Sequence, residues 1–196
     1  MSHGDNTSTV NSFKAEIEKR GKLRLADCYQ CGKCSAGCPM AEYMDILPHQ
    51  IVRLCQLGED SVRKKVLGSN TIWHCVSCET CSTRCPKDFD IARLMDVLRH
   101  ISLEERATNP DADNIIAFHK AFKKSIEKTG RLHEFGLAVG YKLRSMDLFA
   151  DVTKFPKMLT ARKLRFLPHK INGVEKIKKI FEKCEARAKP HKRGGK

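Results

Sequence analysis

Eight of the ten cysteines in this 196-residue chain fall into two runs of identical spacing. The first is Cys28, Cys31, Cys34 and Cys38, followed by Pro39. The second is Cys75, Cys78, Cys81 and Cys85, followed by Pro86. Each cysteine of the second run stands 47 residues after its counterpart in the first. A chain with this repeat must bring sulfur atoms together in two related places, and that requirement constrains its fold more than any other feature.

Ten cysteines fall short of a disulfide scaffold, where roughly 8–10% of residues are Cys. The N-terminus, MSHGDNTSTVNSF, is polar and lacks the apolar core of a secretory signal. No stretch approaches the ~18 apolar residues of a membrane helix. The expectation is a cytoplasmic protein with no membrane span, whose cysteines bind metal rather than pair. The G-x-G-x-x-G, G-x-x-x-x-G-K-[ST] and H-E-x-x-H signatures of nucleotide sites and zinc proteases are missing from the sequence.

The spacing C-x2-C-x2-C-x3-C-P is that of two-cluster bacterial ferredoxins, in which the fourth cysteine ligates the other cluster. Three cysteines at two-residue intervals wrap one cubane, and the Pro carries the fourth away. The expected cofactors are therefore two [4Fe–4S] clusters. The first is held by Cys28, Cys31, Cys34 and Cys85, the second by Cys75, Cys78, Cys81 and Cys38. Gly32 and Gly37 fit a close approach of backbone to an inorganic core. The competing reading is a pair of zinc sites in a structural or interaction module. Zinc prefers C-x2-C pairs separated by a longer loop, so three ligands packed within seven residues favour the cubane.

The rest of the chain reads as helical, with no convincing strand. Residues 1–12 look like a disordered polar tail, and 13–20 like one or two helical turns ending at Gly21. Pro48 suits the first turn of a helix carrying Ile51, Leu54 and Cys55 up to Gly58. A shorter helix is expected from Asp60 through Leu67, closed by Gly68. Asp90 is a candidate N-cap for a stripe of Ile91, Leu94, Met95, Leu98 and Ile101. Ile115, Phe118, Phe122 and Ile126 form another apolar face. Leu132, Phe135, Val139, Leu143 and Met146 form the next. The pattern from Ala150 to Gly173 is irregular. A last helix carries Val174, Ile177, Phe181 and Cys184. Cys55 and Cys184 lie outside the runs and are expected to pack as small buried hydrophobes. The expected division is 1–21 (tail and short helix), 22–106 (cluster domain), 107–188 (helical region for contacts with other subunits) and 189–196 (basic tail).

An all-helical two-cluster module with this spacing resembles the α-helical ferredoxin domain of succinate dehydrogenase and fumarate reductase iron–sulfur subunits. It resembles more closely the small iron–sulfur subunit, the C-type, of the CoB–CoM heterodisulfide reductases of methanogens. Residues Leu25 to Pro39 and Ile72 to Cys81 carry that likeness. The fold class this implies is all-α, an α-helical ferredoxin domain plus a C-terminal helical extension. The resemblance also implies a non-catalytic electron-transfer subunit of an oxidoreductase complex. It would relay electrons from the A-type partner, which carries flavin and Fe–S clusters, to the B-type partner, whose catalytic clusters reduce the CoM-S-S-CoB heterodisulfide. A hydrogenase or formate dehydrogenase module would feed the flavin-bearing partner. Flavin-based electron bifurcation belongs to the same picture. A heterodisulfide reductase-like complex of sulfur metabolism is the alternative of the same class. No Cys precedes Cys28, which sets the chain apart from subunits with an N-terminal [2Fe–2S] domain. It has no Cys-Cys pair and only Cys184 after Cys85, so the disulfide-splitting site is expected on another polypeptide.

No residue has the setting of an acid–base or nucleophilic catalyst. Trp73 and His74 beside Cys75 read as packing or surface residues, and Tyr29 beside Cys28 reads as a packing residue. The formal net charge is +14, and two clusters of about −2 each reduce it to roughly +10. Basic residues run through every helix rather than along one arm with interleaved aromatics, so protein partners are expected rather than nucleic acid.

Overall fold

The computed structural model describes residues 7–145 and 168–188. Every regular element among them is helical, and none of these helices is long and apolar enough to cross a membrane. The chain divides into two compact units, with the boundary between Ala112 and Asp113.

In the first unit, α1 (Thr7–Gly21), α3 (Pro48–Leu57), α4 (Asp60–Leu67) and α7 (Ile91–Glu105) surround the core. Three single-turn helices accompany the cysteines: α2 (Lys33–Ala36), α5 (Thr71–His74) and α6 (Thr80–Thr83). The start signals read from sequence are used as such. Pro48 occupies the first turn of α3, where its missing N–H costs nothing. The Gln50 side chain accepts the Leu47 N–H at 3.0 Å, which satisfies an otherwise orphaned donor. Gly58 closes the helix with φ 70°. Helix α4 spans the expected residues and ends at Gly68. Asp90 caps α7 by accepting the Arg93 N–H at 3.0 Å.

The 3.6-residue stripe of α7 is the spine of the core. Ile91, Leu94, Met95, Leu98 and Ile101 are all buried. Around them lie Phe13 and Ile17 of α1, Ile51, Val52 and Cys55 of α3, and Val62, Val66 and Leu67 of α4. Each such side chain contributes roughly 1.5–3 kcal/mol relative to exposure. Cys55 is fully buried, as expected, and burial pushes its thiol up to about 12.

The N-terminal reading needs correction. Helix α1 begins at Thr7, so residues 7–12 are helical rather than part of a disordered tail. The run of Thr, Ser and Asn has weak helix propensity by itself. Once Phe13 and Ile17 are docked, however, each added residue costs only propagation, not a new nucleus.

In the second unit, α8 (Asp113–Thr129) packs against α9 (Glu134–Ser145) and α10 (Val174–Ala188). Its apolar faces are only partly covered. Ile116, Ala121 and Val174 are buried, whereas Phe118, Phe122, Val139 and Leu143 remain exposed. Cys184 is also exposed, contrary to the core role expected from its place on the α10 stripe. A helix with neighbours on one side hides only the centre of its stripe. Met146, the irregular stretch up to residue 167 and the basic tail at 189–196 lie outside the described residues.

Leu98 is fully buried at the centre of the α7 stripe. Leu98→Ala should lower the unfolding free energy by about 2–5 kcal/mol through lost transfer energy and a residual cavity. Denaturant unfolding of the full chain followed by circular dichroism measures this.

Candidate metal centre

The 47-residue repeat extends from the cysteines to the backbone around them. Helix α2 at Lys33–Ala36 and helix α6 at Thr80–Thr83 are counterparts, and they pack against each other. Gln30 (φ 66°) and its counterpart Ser77 (φ 50°) are both left-handed. So are Gly32 (φ 79°) and Glu79 (φ 59°). Left-handed residues alternating with right-handed ones turn successive N–H groups to one side, and such concavities bind anions, including iron–sulfur clusters. At Gly32 glycine adopts this conformation freely, whereas Glu79 does so against its Cβ.

The sulfur environments also repeat. Cys31 and Cys78 are exposed, and both thiols are lowered from their ordinary value. For Cys31 the main cause is the Lys33 N–H. For Cys78 it is the Thr80 hydroxyl, 3.4 Å away, with the Thr80 N–H second. Cys34 and Cys81 are raised instead, chiefly by burial. Phe89 N–H donates to Cys85 Sγ at 3.3 Å, and Gln30 Nε2 to Cys28 Sγ at 3.3 Å. Donors aimed at sulfur favour its anionic form, the form that binds metal.

Cys38, Cys75, Cys78 and Cys81 line one recess. Its walls include Pro39, Met44, Ile91, Ala92 and Met95, so the thiols open onto an apolar recess. The fourth cysteine of the first run thus stands with the first three of the second. On the other side, the Tyr29 hydroxyl is raised from its ordinary value, chiefly by its hydrogen bond with Cys31 and with smaller contributions from Cys85 and Cys28. Cys34 in turn senses Cys28. Among the described residues, no three His, Cys, Asp or Glu converge closely enough to hold a single metal ion. Four thiols around an apolar recess, with the Thr80 and Ser82 N–H groups on the sulfurs of Cys78 and Cys81, fit a larger anionic group.

Flanking residues hold this arrangement, and several were not legible in the sequence. Ser35 Oγ accepts the His49 N–H at 3.1 Å and contacts its Nδ1 at 2.7 Å, tying α2 to α3. Its counterpart Ser82 donates to Asp90 at 3.0 Å, tying α6 to the cap of α7. Asp45 joins the end of the first loop to the start of α5. It accepts from Ser69 Oγ and Thr71 Oγ1 at 2.7 Å each, and from the Thr71 and Asn70 N–H groups. Burial works against its charge, but these donors outweigh it and hold the carboxyl at about 2. At Gly37 a Cβ would meet Cζ of Arg84 at 2.8 Å. Trp73 is buried, as expected for a packing residue, although its indole N–H has no partner. His74 Nδ1 donates to the Tyr43 carbonyl at 2.6 Å. Tyr29 is 56% exposed, which removes it from the core.

These loops define a class of protein. Residues 24–89 match the family model described as the 4Fe-4S dicluster domain, so the cysteine-bearing segment of this helical chain is a domain of that kind. The chain is similar to the C-type iron–sulfur subunits of the heterodisulfide reductases. It is 34% identical over 102 residues to the second such subunit of the CoB–CoM heterodisulfide reductase of Methanocaldococcus jannaschii, covering 48% of this chain and 53% of that one. It is 37% identical over 96 residues to the C-type subunit of the ferredoxin:CoB-CoM heterodisulfide reductase of Methanosarcina acetivorans, covering 49% and 37%. A longer match, 27% identical over 183 residues, links it to the 8-methylmenaquinol:fumarate reductase iron–sulfur subunit of Wolinella succinogenes. That match covers 85% of this chain and 55% of the relative. The chain therefore spans about half the length, or less, of these curated relatives.

The Asp45 contacts yield a pH prediction. A carboxyl held near 2 when folded, against about 3.9 when unfolded, stabilises the fold above pH 4 and loses that contribution as pH falls toward 2. Asp45→Ala should lower the melting temperature at neutral pH. The gap from the parent should close between about pH 4 and pH 2, as parallel thermal melts by circular dichroism will show.

Proposed function

We propose that this chain is the electron-transfer subunit of a heterodisulfide reductase complex. It would relay electrons through two [4Fe–4S] clusters from a flavin-containing partner to a catalytic partner that reduces CoM-S-S-CoB. The carrying observation is that Cys38 lines one recess with Cys75, Cys78 and Cys81. We assign these four as ligands of one cluster, and Cys28, Cys31, Cys34 and Cys85 as ligands of the other. When bound, such clusters supply reversible one-electron transfer.

The protein's own residues supply the surroundings. Met44, Ile91, Ala92 and Met95 keep water from one face of the Cys75 loop. The N–H groups of Lys33, Thr80 and Phe89 meet the sulfurs of Cys31, Cys78 and Cys85 and offset their negative charge. Cys31 and Cys78 stand at the surface, next to exposed Tyr29 and Val76. Each loop therefore offers partners a short path to its sulfurs. Nothing in this set abstracts a proton or attacks a substrate, so the disulfide chemistry is assigned to the catalytic partner and bifurcation to the flavin-containing one. This is the division of labour expected where a cofactor carries the reaction and the protein positions it.

The longer match to a fumarate reductase iron–sulfur subunit favours a second reading, in which the same two-cluster relay serves another reductase. Identifying the proteins that co-purify under anaerobic conditions separates the two.

Anaerobically purified protein should contain about eight irons and eight acid-labile sulfides per chain. Stoichiometric zinc without sulfide overturns the proposal. Cys85→Ser should perturb the cluster at Cys28, Cys31 and Cys34, and Cys38→Ser the other one. Electron paramagnetic resonance of the two variants distinguishes this crossed ligation from ligation within each run.

A further inference from the structure

The two cysteine loops are built alike but clamped by different chemistry. Gln56 of α3 donates through Nε2 to the carbonyls of Leu25 and Cys28, at 2.8 Å each. Arg99 of α7 donates through Nε to the Ile72 carbonyl and through Nη2 to the Cys75 carbonyl. Leu25 and Ile72 are counterparts in the repeat, and so are Cys28 and Cys75. The same two carbonyls are therefore held in both loops, by a neutral amide in one and a guanidinium in the other.

Arg99 reaches further into its loop, with Nη1 at 3.3 Å from Ser77 Oγ. It also pairs with Asp96 at 2.9 Å, but the two partners see different surroundings. The Arg99 side chain is 14% exposed and that of Asp96 55%. Water and salt screen the outer charge more than the inner one. The other charges on these loops are Asp27, which is half-buried and paired with Arg24, and Lys33, Glu79 and Arg84, which are exposed. Arg99 is the charge that bonds two carbonyls of its loop, and its counterpart in the other clamp, Gln56, is neutral.

We propose that Arg99 is a positioning residue that raises the reduction potential of the cluster at Cys38, Cys75, Cys78 and Cys81 above what a neutral clamp gives. The proposal rests on the two-cluster reading above. Reduction adds one electron to an already anionic group and makes or breaks no bond. A nearby cation stabilises the reduced state more than the oxidised state. The first loop has only Gln56 at this position and receives no such contribution. The repeat is thus polarised, and an electron shared between the loops is biased toward the second.

The test is an anaerobic potentiometric titration of the full chain with dithionite, followed by electron paramagnetic resonance, alongside iron and sulfide analysis. In Arg99→Gln, which copies the clamp of the first loop, one midpoint should move to lower potential and the other should stay. The midpoint that moves should belong to the cluster that Cys38→Ser perturbs. Arg99→Lys, which keeps the charge and loses the fork, should retain the parent midpoint. Asp96→Asn removes the counter-charge at an exposed site and should move the same midpoint upward, which keeps the test decisive if Arg99→Gln sheds its cluster. The proposal is overturned if full iron and sulfide accompany unmoved midpoints, or if both midpoints shift together. It is also overturned if Arg99→Lys falls with Arg99→Gln, since geometry rather than charge would then be at work. A parent chain that binds no iron and sulfide refutes the two-cluster reading instead.

Discussion

Two short loops crowded with sulfur have no strand beside them to hold their backbone, so their carbonyls must be held by side chains. The bonds from Gln56 to Leu25 and Cys28, and from Arg99 to Ile72 and Cys75, meet this need. Each donor sits on the helix that follows its loop, α3 in one case and α7 in the other. The buried stripes of those helices fix where the donors stand. Core packing is thereby converted into loop geometry, and loop geometry decides where the thiols point. Ser35 and Ser82 do the same at the other end of each loop, through His49 and Asp90.

The sequence discloses the parts of this design that are local. The spacing of eight cysteines marks both loops. Pro48, Gly58 and Gly68, together with the cap at Asp90, place helix ends because each acts within a turn of its own position. The α7 stripe is legible because its period matches the helix and all five of its members are buried. What stays hidden is what acts at a distance. Gln56 bonds a carbonyl 31 residues away, and Arg99 one 27 residues away. No pattern near either residue marks it as different from any other polar helix position. Asp45 is hidden for the same reason, since its partners at Ser69 and Thr71 follow an entire helix pair later. The start of α1 is not legible because a weak helical sequence can be carried by the docked residues that follow it. The exposure of Cys184 is not legible because periodicity reports a stripe and not how much of that stripe a neighbour covers.

The two units put their apolar residues to different use. In the first, the stripes of α1, α3, α4 and α7 face one another and bury Phe13, Ile17, Ile51, Val66, Leu94, Leu98 and Ile101. In the second, Phe118 and Tyr141 meet edge to face with ring centroids 6.0 Å apart, yet Phe118, Phe122, Val139 and Leu143 stay in contact with solvent. The first unit supplies the precision that metal ligands need. Among the described residues of the second, four apolar side chains of α8 and α9 stay exposed.

Gly37 and Arg84 are one position of the repeat written twice, and they lie against each other. The Arg84 guanidinium passes over the face of Gly37 so closely that even a methyl group there would collide with it. Two arginines at this place would compete for one volume, and two glycines would leave it empty. The contact is asymmetric: one half supplies the long side chain and the other the space it lies against. The repeat is alike in its sulfur ligands and differs where its halves touch.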